Sequence, residues 1–173
     1  MNIKLRPFRA DELDILREIA EDPDFAPLTW AGFRNYAKVI REHGESGLVS
    51  DDLARLVVDE GGAAVGFVSY RSGGYGARGD HYEIGIVLRP EHRGRGIGWR
   101  AQALLTAYVF AHFPVQRVQA GTQVENTAER RALLKAGFQE EGVVRAAEFR
   151  AGQWRDCVLF SRLRDDPYPE LGD

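Results

Sequence analysis

The chain has 173 residues, 44% of them hydrophobic and 28% charged, with a formal net charge of -3. That length can bury the core of one compact domain without staples, and the slight acidity gives no footing for a nucleic-acid or membrane-surface partner. The single cysteine, Cys157, excludes an internal disulfide and a cysteine metal cluster, and the four histidines (His43, His81, His92, His112) lack ligand spacing, so no metal is expected.

The N-terminal MNIKLRPFRADELD has no apolar signal core and no segment reaches membrane-spanning length, so a soluble, cytoplasmic protein is expected. A short strand over Ile3–Leu5 stops at Pro7. A helix over roughly Asp11–Ala20 places Leu13, Leu16 and Ala20 at helical spacing. Asp22-Pro23 and Ala26-Pro27 break the chain. Thr29 is then placed to cap a second helix carrying Phe33, Ala37 and Ile40 on one face and ending near Gly44. Strand patterns over Leu53–Asp59 and Ala63–Tyr70 flank Glu60-Gly61-Gly62, a hairpin signature.

The glycine-rich Arg71–Gly79 reads as an exposed, mobile loop, and Tyr82–Leu88 as the next strand. A long helix follows over about Gly98–Phe113, with Ala101, Leu104, Leu105, Tyr108 and Val109 on one stripe. Arg117–Thr122 is a strand. Asn126 can cap a helix over Thr127–Ala136, closed by Gly137 with Phe138 making the apolar contact. Strands over Gln139–Arg150 and Gln153–Leu163 join at Ala151-Gly152. These elements predict an α+β domain over 1–165, with a mixed, mostly antiparallel sheet of about seven strands and about four helices. The tail, 166–173, reads as frayed.

One junction carries chemistry. Between the strand ending at Leu88 and the long helix stands RPEHRGRGIGWRAQ, with Gly94, Gly96 and Gly98 alternating among arginines. A triphosphatase P-loop needs G-x-x-x-x-G-K-[ST], and no lysine stands at that spacing. Gly96 to Ala101 does match G-x-G-x-x-[GA] of dinucleotide sites. That fingerprint follows its strand directly and has an acidic residue about 20 positions later, where this chain has Gln116 and Arg117. A third pattern, Arg93-x-x-Gly96-x-Gly98, suits a diphosphate held by main-chain amides and a helix N-terminus, with Arg93 and Arg95 at the rim. The bland alternative is a turn used only for chain reversal.

The segment EIGIVLRPEHRGRGIGWRAQALL, Glu83 to Leu105, resembles the acyl-CoA-binding motif of the GNAT acetyltransferases. Glu125-Asn126-Thr127-Ala128 with Ala136-Gly137-Phe138 resembles the family's second cofactor-side helix. The closing segments Glu141–Arg145 and Gly152–Asp156 are similar to the branch containing the ribosomal-protein N-terminal acetyltransferases. The likeness is weak before about Leu53 and strong from Glu83 to Leu163.

The resemblance implies an acetyl-CoA-dependent N-acetyltransferase acting on a primary amine of a small molecule or a peptide N-terminus. A non-catalytic acyl-CoA-binding or interaction module on the same fold is the alternative. The cofactor arm would lie along Ile86, Val87 and Leu88, with Val87 or Leu88 offering an amide to the thioester oxygen. The diphosphate would sit on Arg93, Gly94, Arg95, Gly96, Ile97 and Gly98. Asn126 matches a position that contacts the arm, though a plain helix cap explains it equally.

Glu83 is the first candidate for the base that takes the amine's proton, against a sheet-surface carboxylate paired with an arginine; Glu129 and Asp156 are weaker candidates. Many family members carry a tyrosine acid where this chain has Leu133, and the related branch often has serine where this chain has Glu129. Trp30, Phe33 and Trp154 would frame the acceptor. Exposed sheet edges make a homodimer reasonable.

Overall fold

Residues 2–28, 30 and 32–170 are described by the computed structural model. The strand-forming runs build one sheet from β1 (Ile3–Arg6), β2 (Leu53–Glu60), β3 (Ala63–Tyr75), β4 (Gly79–Leu88), β5 (Arg117–Gln123), β6 (Gln139–Arg150) and β7 (Gln153–Leu163). Their order is β1-β2-β3-β4-β5-β7-β6. Neighbours are antiparallel except β4 and β5, which run parallel. Among the described residues four α-helices complete the fold: α1 (Asp14–Glu21), α2 (Tyr36–Ser46), α3 (Ile97–His112) and α4 (Thr127–Lys135). The α+β class and the mixed, mostly antiparallel seven-stranded sheet expected from the sequence are the observed architecture.

Period-two alternation gives the sheet two apolar faces. Leu56, Val58, Val68, Tyr70, Tyr82 and Ile84 pack under Ile97, Ala101, Leu105 and Val109 of α3 and Leu133 of α4, with Ile86 and Leu88 at the margin. On the opposite face Val57 and Phe67, joined by Val87, meet Leu13, Ile15 and Leu16, with Tyr36 and Val39 of α2 alongside. Along β4, therefore, even-numbered side chains point toward α3 and α4 and odd-numbered ones toward α1 and α2.

Three local expectations are corrected. The Arg71–Gly79 segment is no loose loop: β3 runs on to Tyr75 and pairs with β4 down to Gly79. The glycines let the buried His81 ring lie flat, since a Cβ on Gly73 would stand 2.8 Å from His81 Nε2. Tyr75 stacks on His81 at 4.8 Å and donates from its hydroxyl to Gln119.

The second helix starts at Tyr36, not near Thr29, which lies outside the described residues. Its cap is Asn35, whose side chain accepts from Ala37 N, and it runs past Gly44 to Ser46 with Gly47 in the left-handed region. Its inward face is Tyr36 and Val39, whereas Ile40 is exposed and Phe33 precedes the helix. The expected stripe was one position out of phase, because the cap fell at Asn35.

Residues 171–173 lie outside the described residues; up to Glu170 the tail is tethered through Tyr168. Its hydroxyl donates to Ala103 O, its ring lies 4.6 Å under the Arg162 guanidinium, and Arg162 Nη2 donates to Pro167 O.

At the far edge, Arg117 on β5 forks onto Glu141 of β6 at 2.7 and 2.5 Å, and Ser161 Oγ of β7 donates to the same carboxylate. The guanidinium, then the hydroxyl, pull the Glu141 carboxyl down to about 2 from 4.5. A depressed carboxylate contributes stability above its unfolded value and loses it as pH falls through the folded one. Glu141→Gln should therefore lower the urea midpoint at pH 7, with the gap to wild type closing between about pH 5 and pH 2. A gap independent of pH would contradict this.

Candidate active site

β4 and β5 share a ladder only over His81–Glu83 and Arg117–Gln119. Beyond it they diverge, and β4 continues from Ile84 to Leu88 with one edge unpaired. The alternation of an antiparallel ladder decides which groups line that slot. Arg89 N donates to Val65 O of the β3 side at 3.0 Å, and Leu88 is in register with Gly66. Leu88 is therefore a non-hydrogen-bonded position of the β3–β4 ladder, and so is Ile86, their N–H and C=O groups facing the slot. Gly85 and Val87 turn theirs to β3. Of the two residues expected to offer an amide, Leu88 has the right parity and Val87 does not. Leu88 O accepts from Arg93 Nε at 3.0 Å, consistent with this direction.

At the mouth of the slot the glycine turn leads into α3. Gly94 and Gly96 have φ of 72° and 79°, and Gly96 is the residue on which the helix starts. Ile97 is fully buried, and Gly98 sits over the Leu88 and Ile86 side chains. Successive amides at such a turn, ahead of a sixteen-residue helix, form an anion-binding concavity.

The arginines do not simply rim it. Arg93 is spent on carbonyls, donating to Leu88 O and through Nη2 to Phe25 O of the α1–α2 connection. Arg95 pairs with Glu60 at 3.0 Å and reaches His92 Nδ1. Arg89, which the sequence reading passed over, clasps Asp14 and Glu18 of α1. The concavity is thus built chiefly of main-chain donors, while the guanidiniums fasten surrounding segments to it.

Two carboxyls flank the slot on opposite faces. Glu83 is the last position of β4 paired with β5, its odd number turning the side chain away from α3 and α4. It is paired with Arg71 at 2.8 Å, and its side chain is 42% exposed. Glu129, in the first turn of α4, is partly buried. Burial pushes its carboxyl up to about 7, against a lowering hydrogen bond from Gln102. Asn126 caps α4, its side chain accepting from Glu129 N at 3.2 Å. Asp156 is committed to the hairpin, accepting from Ala146 N at 2.7 Å. Leu133, where a tyrosine would stand, is fully buried in the core.

The acceptor-side aromatics form two pairs. Trp30 and Phe33 meet edge to face at 5.2 Å, and Phe149 and Trp154 at 5.4 Å near the β6–β7 turn. Phe33 is 78% exposed and Trp154 65%, so neither is core. Arg150 joins the two regions, donating from Nη1 to the carbonyls of Pro27 and Leu28. Among the described residues no group of three or more His, Cys, Asp or Glu could hold a metal ion, and no helix is long and apolar enough to cross a membrane.

Comparison with known proteins agrees with this geometry. The family model of the acetyltransferase (GNAT) domain matches residues 2–139. YjcK of Bacillus subtilis (strain 168), described as a probable N-acetyltransferase, is 35% identical over 83 residues, covering 48% of this chain and 46% of that protein. YdaF of the same organism, described provisionally as a ribosomal N-acetyltransferase, is 33% identical over 82 residues, covering 47% and 45%. The chain thus spans about half the length of the curated relatives it matches. The spermidine N-acetyltransferase of Vibrio cholerae, solved with CoA and spermine, aligns with a TM-score of 0.81 at 19% identity, covering 95% of this chain and 96% of that one. At that identity the likeness concerns the fold.

Proposed function

The chain belongs to the GNAT acetyltransferase domain family, and from that premise we propose that it transfers an acetyl group from acetyl-CoA to a primary amine of a small molecule or a peptide N-terminus. The observation that carries this reading is the slot. A strand edge with unpaired, slot-facing amides at Ile86 and Leu88 opens next to an amide-lined glycine turn. An amide-bearing arm with a diphosphate at one end fits both at once. The arm would extend the β4 edge, and the diphosphate would meet the amides from Gly94 to Gly98 and the α3 N-terminus. Arg93 and Arg95, held on Phe25 O and Glu60, would add positive charge near the diphosphate without leaving those partners, and Asn126 would act from the α4 side.

Acetyl-CoA supplies a thioester carbon open to attack, and this chain's residues supply position and charge. The Leu88 amide donates to the thioester oxygen and stabilises the negative charge that develops there. Holding both reactants in one cleft removes much of the entropic barrier. The amine must be neutral to attack, and Glu83, on the face toward α1 and α2, accepts its proton directly or through a water. Trp30, Phe33 and Trp154 bound the approach from that side. Glu83→Gln should lower kcat at neutral pH about 100-fold with acetyl-CoA affinity retained; an unaltered pH–rate profile would remove Glu83 from the role.

The test is a panel of polyamines, amino-acid derivatives, aminoglycosides and peptide N-termini, incubated with acetyl-CoA and read by mass spectrometry together with thiol release. One or more amines should gain a single acetyl group, with one thiol released per product. The buried Leu133 favours a second reading, a module that binds acyl-CoA without turnover. Tight acetyl-CoA binding with no thiol released for any amine would support that module instead.

A further inference from the structure

Resting on the acetyl-transfer reading, we propose that Glu129 is the proton donor to the departing thiol sulfur, delivered from the α3–α4 side of the slot opposite Glu83. The placement comes first. Gly98, in the first turn of α3, lies on the Ile86 and Leu88 side chains, the unpaired part of β4. Gln102, one turn further on, donates to Gly98 O and is 1% exposed. Its side chain reaches Glu129 in the first turn of α4, the helix that follows β5. The Gln102–Glu129 contact therefore bridges the elements riding on the two strands that diverge, above the gap between them. Glu129 is only partly buried.

The second observation is Gln102 itself, an amide on the buried side of α3, 1% exposed, whose main-chain carbonyl accepts from the buried Thr106 hydroxyl at 2.8 Å. Its Oε1 is buried and finds no hydrogen-bond partner among the described residues. A buried acceptor left unmatched is costly, and in the proposal a protonated Glu129 would supply the missing donor. The amide suits both protonation states of its neighbour, donating through NH2 to a carboxylate and accepting through Oε1 from a carboxylic acid.

Other charged groups nearby are engaged elsewhere. Arg130, beside Glu129 on α4, donates to Val124 O and Glu140, and Arg100 of α3 lies on the Trp99 ring and donates to Gly96 O. Gln123, at the end of β5, donates to Glu148. Burial raises the Glu129 carboxyl to about 7, so it retains its proton below that pH.

The step balances. The amine nitrogen forms a bond to the thioester carbon, and the carbon–sulfur bond breaks with its electron pair going to sulfur. The sulfur takes the Glu129 proton, the amine's surplus proton leaves to Glu83 or water, and Glu129 regains a proton from solvent. The Glu129 carboxyl thus fills the role left open by Leu133.

The test is the pH dependence of kcat with the best amine from the panel, for wild type, Glu129→Gln and Glu129→Asp, with acetyl-CoA affinity measured in parallel. With an amine that titrates above Glu129, wild-type kcat should rise to about pH 7, level off as Glu129 loses its proton, and fall only above the amine's own titration. Glu129→Gln should bind acetyl-CoA within about twofold, turn over roughly 10- to 100-fold more slowly at pH 6, and keep rising through pH 7 up to the amine's titration. Glu129→Asp should restore part of the rate and the levelling. Transfer by wild type with the same profile shape in Glu129→Gln overturns this proposal alone. No transfer by wild type to any amine overturns the acetyltransferase reading, and the proposal with it.

Discussion

Gly96→Asp is expected to weaken acetyl-CoA binding by at least about 100-fold, which corresponds to roughly 3 kcal/mol. Gly96 has φ of 79°, a conformation that costs an L-residue about 1–2 kcal/mol. A Cβ there would stand 2.9 Å from Arg100 Nη1, which already donates to Gly96 O. The aspartate would either hold that arginine or swing its charge over amides that serve an anion. The first choice draws a cation away from the turn, and the second sets like charges against each other. Both effects fall on the diphosphate end of the proposed slot, and the turn is at the surface, so the core should stay intact. Calorimetric titration on a variant shown folded by its Tm decides the matter. Wild-type affinity there would remove the glycine turn from the account.

The second large effect concerns a backbone amide. Leu88→Pro removes the N–H assigned to the thioester oxygen, and that N–H is the one facing away from β3. No bond of the β3–β4 ladder is lost, which is where proline is tolerated in a sheet. Leu88 is only partly buried, so the packing loss is modest. kcat should fall about 100- to 1,000-fold, the usual effect of losing one oxyanion donor. Val87→Pro, one residue earlier, is the contrast. Its N–H belongs to the ladder, so that variant should be strongly destabilised. A folded Leu88→Pro protein with unaltered turnover would show that the oxyanion donor lies elsewhere.

Much of the fold was legible because its signals are local. Gly61-Gly62 marks the β2–β3 turn, Asn126 and Gly137 bracket α4, and apolar runs mark the central strands. What the sequence misled on depends on distant partners. Arg71–Gly79 is glycine-rich because His81 and Tyr75 need room across the hairpin, which composition alone reads as looseness. Tyr168 reads as part of a frayed tail until Arg162 and Ala103 provide a seat for it. At the site, the slot-facing parity of Leu88 follows from a register with Gly66 that spacing cannot give. That Arg93 also clasps Phe25 O could not be read from spacing, because that partner is remote in sequence. Glu129 is an ordinary first-turn acid in the chain, and only the approach of Gln102 from α3 sets it apart. One signal was available: Gln102 and Thr106 are polar residues at helical spacing on the side of α3 that is buried.

The central claim is that an acyl-CoA arm completes the unpaired edge of β4 and that its diphosphate rests on the glycine turn. Amide hydrogen exchange with and without coenzyme A tests it most directly. Exchange at Ile86, Leu88 and Gly94 to Gly98 should slow by roughly tenfold or more when the ligand is added, with Val87 little changed because its amide is already tied to β3. Binding that leaves those amides exchanging as in the free protein would contradict the account.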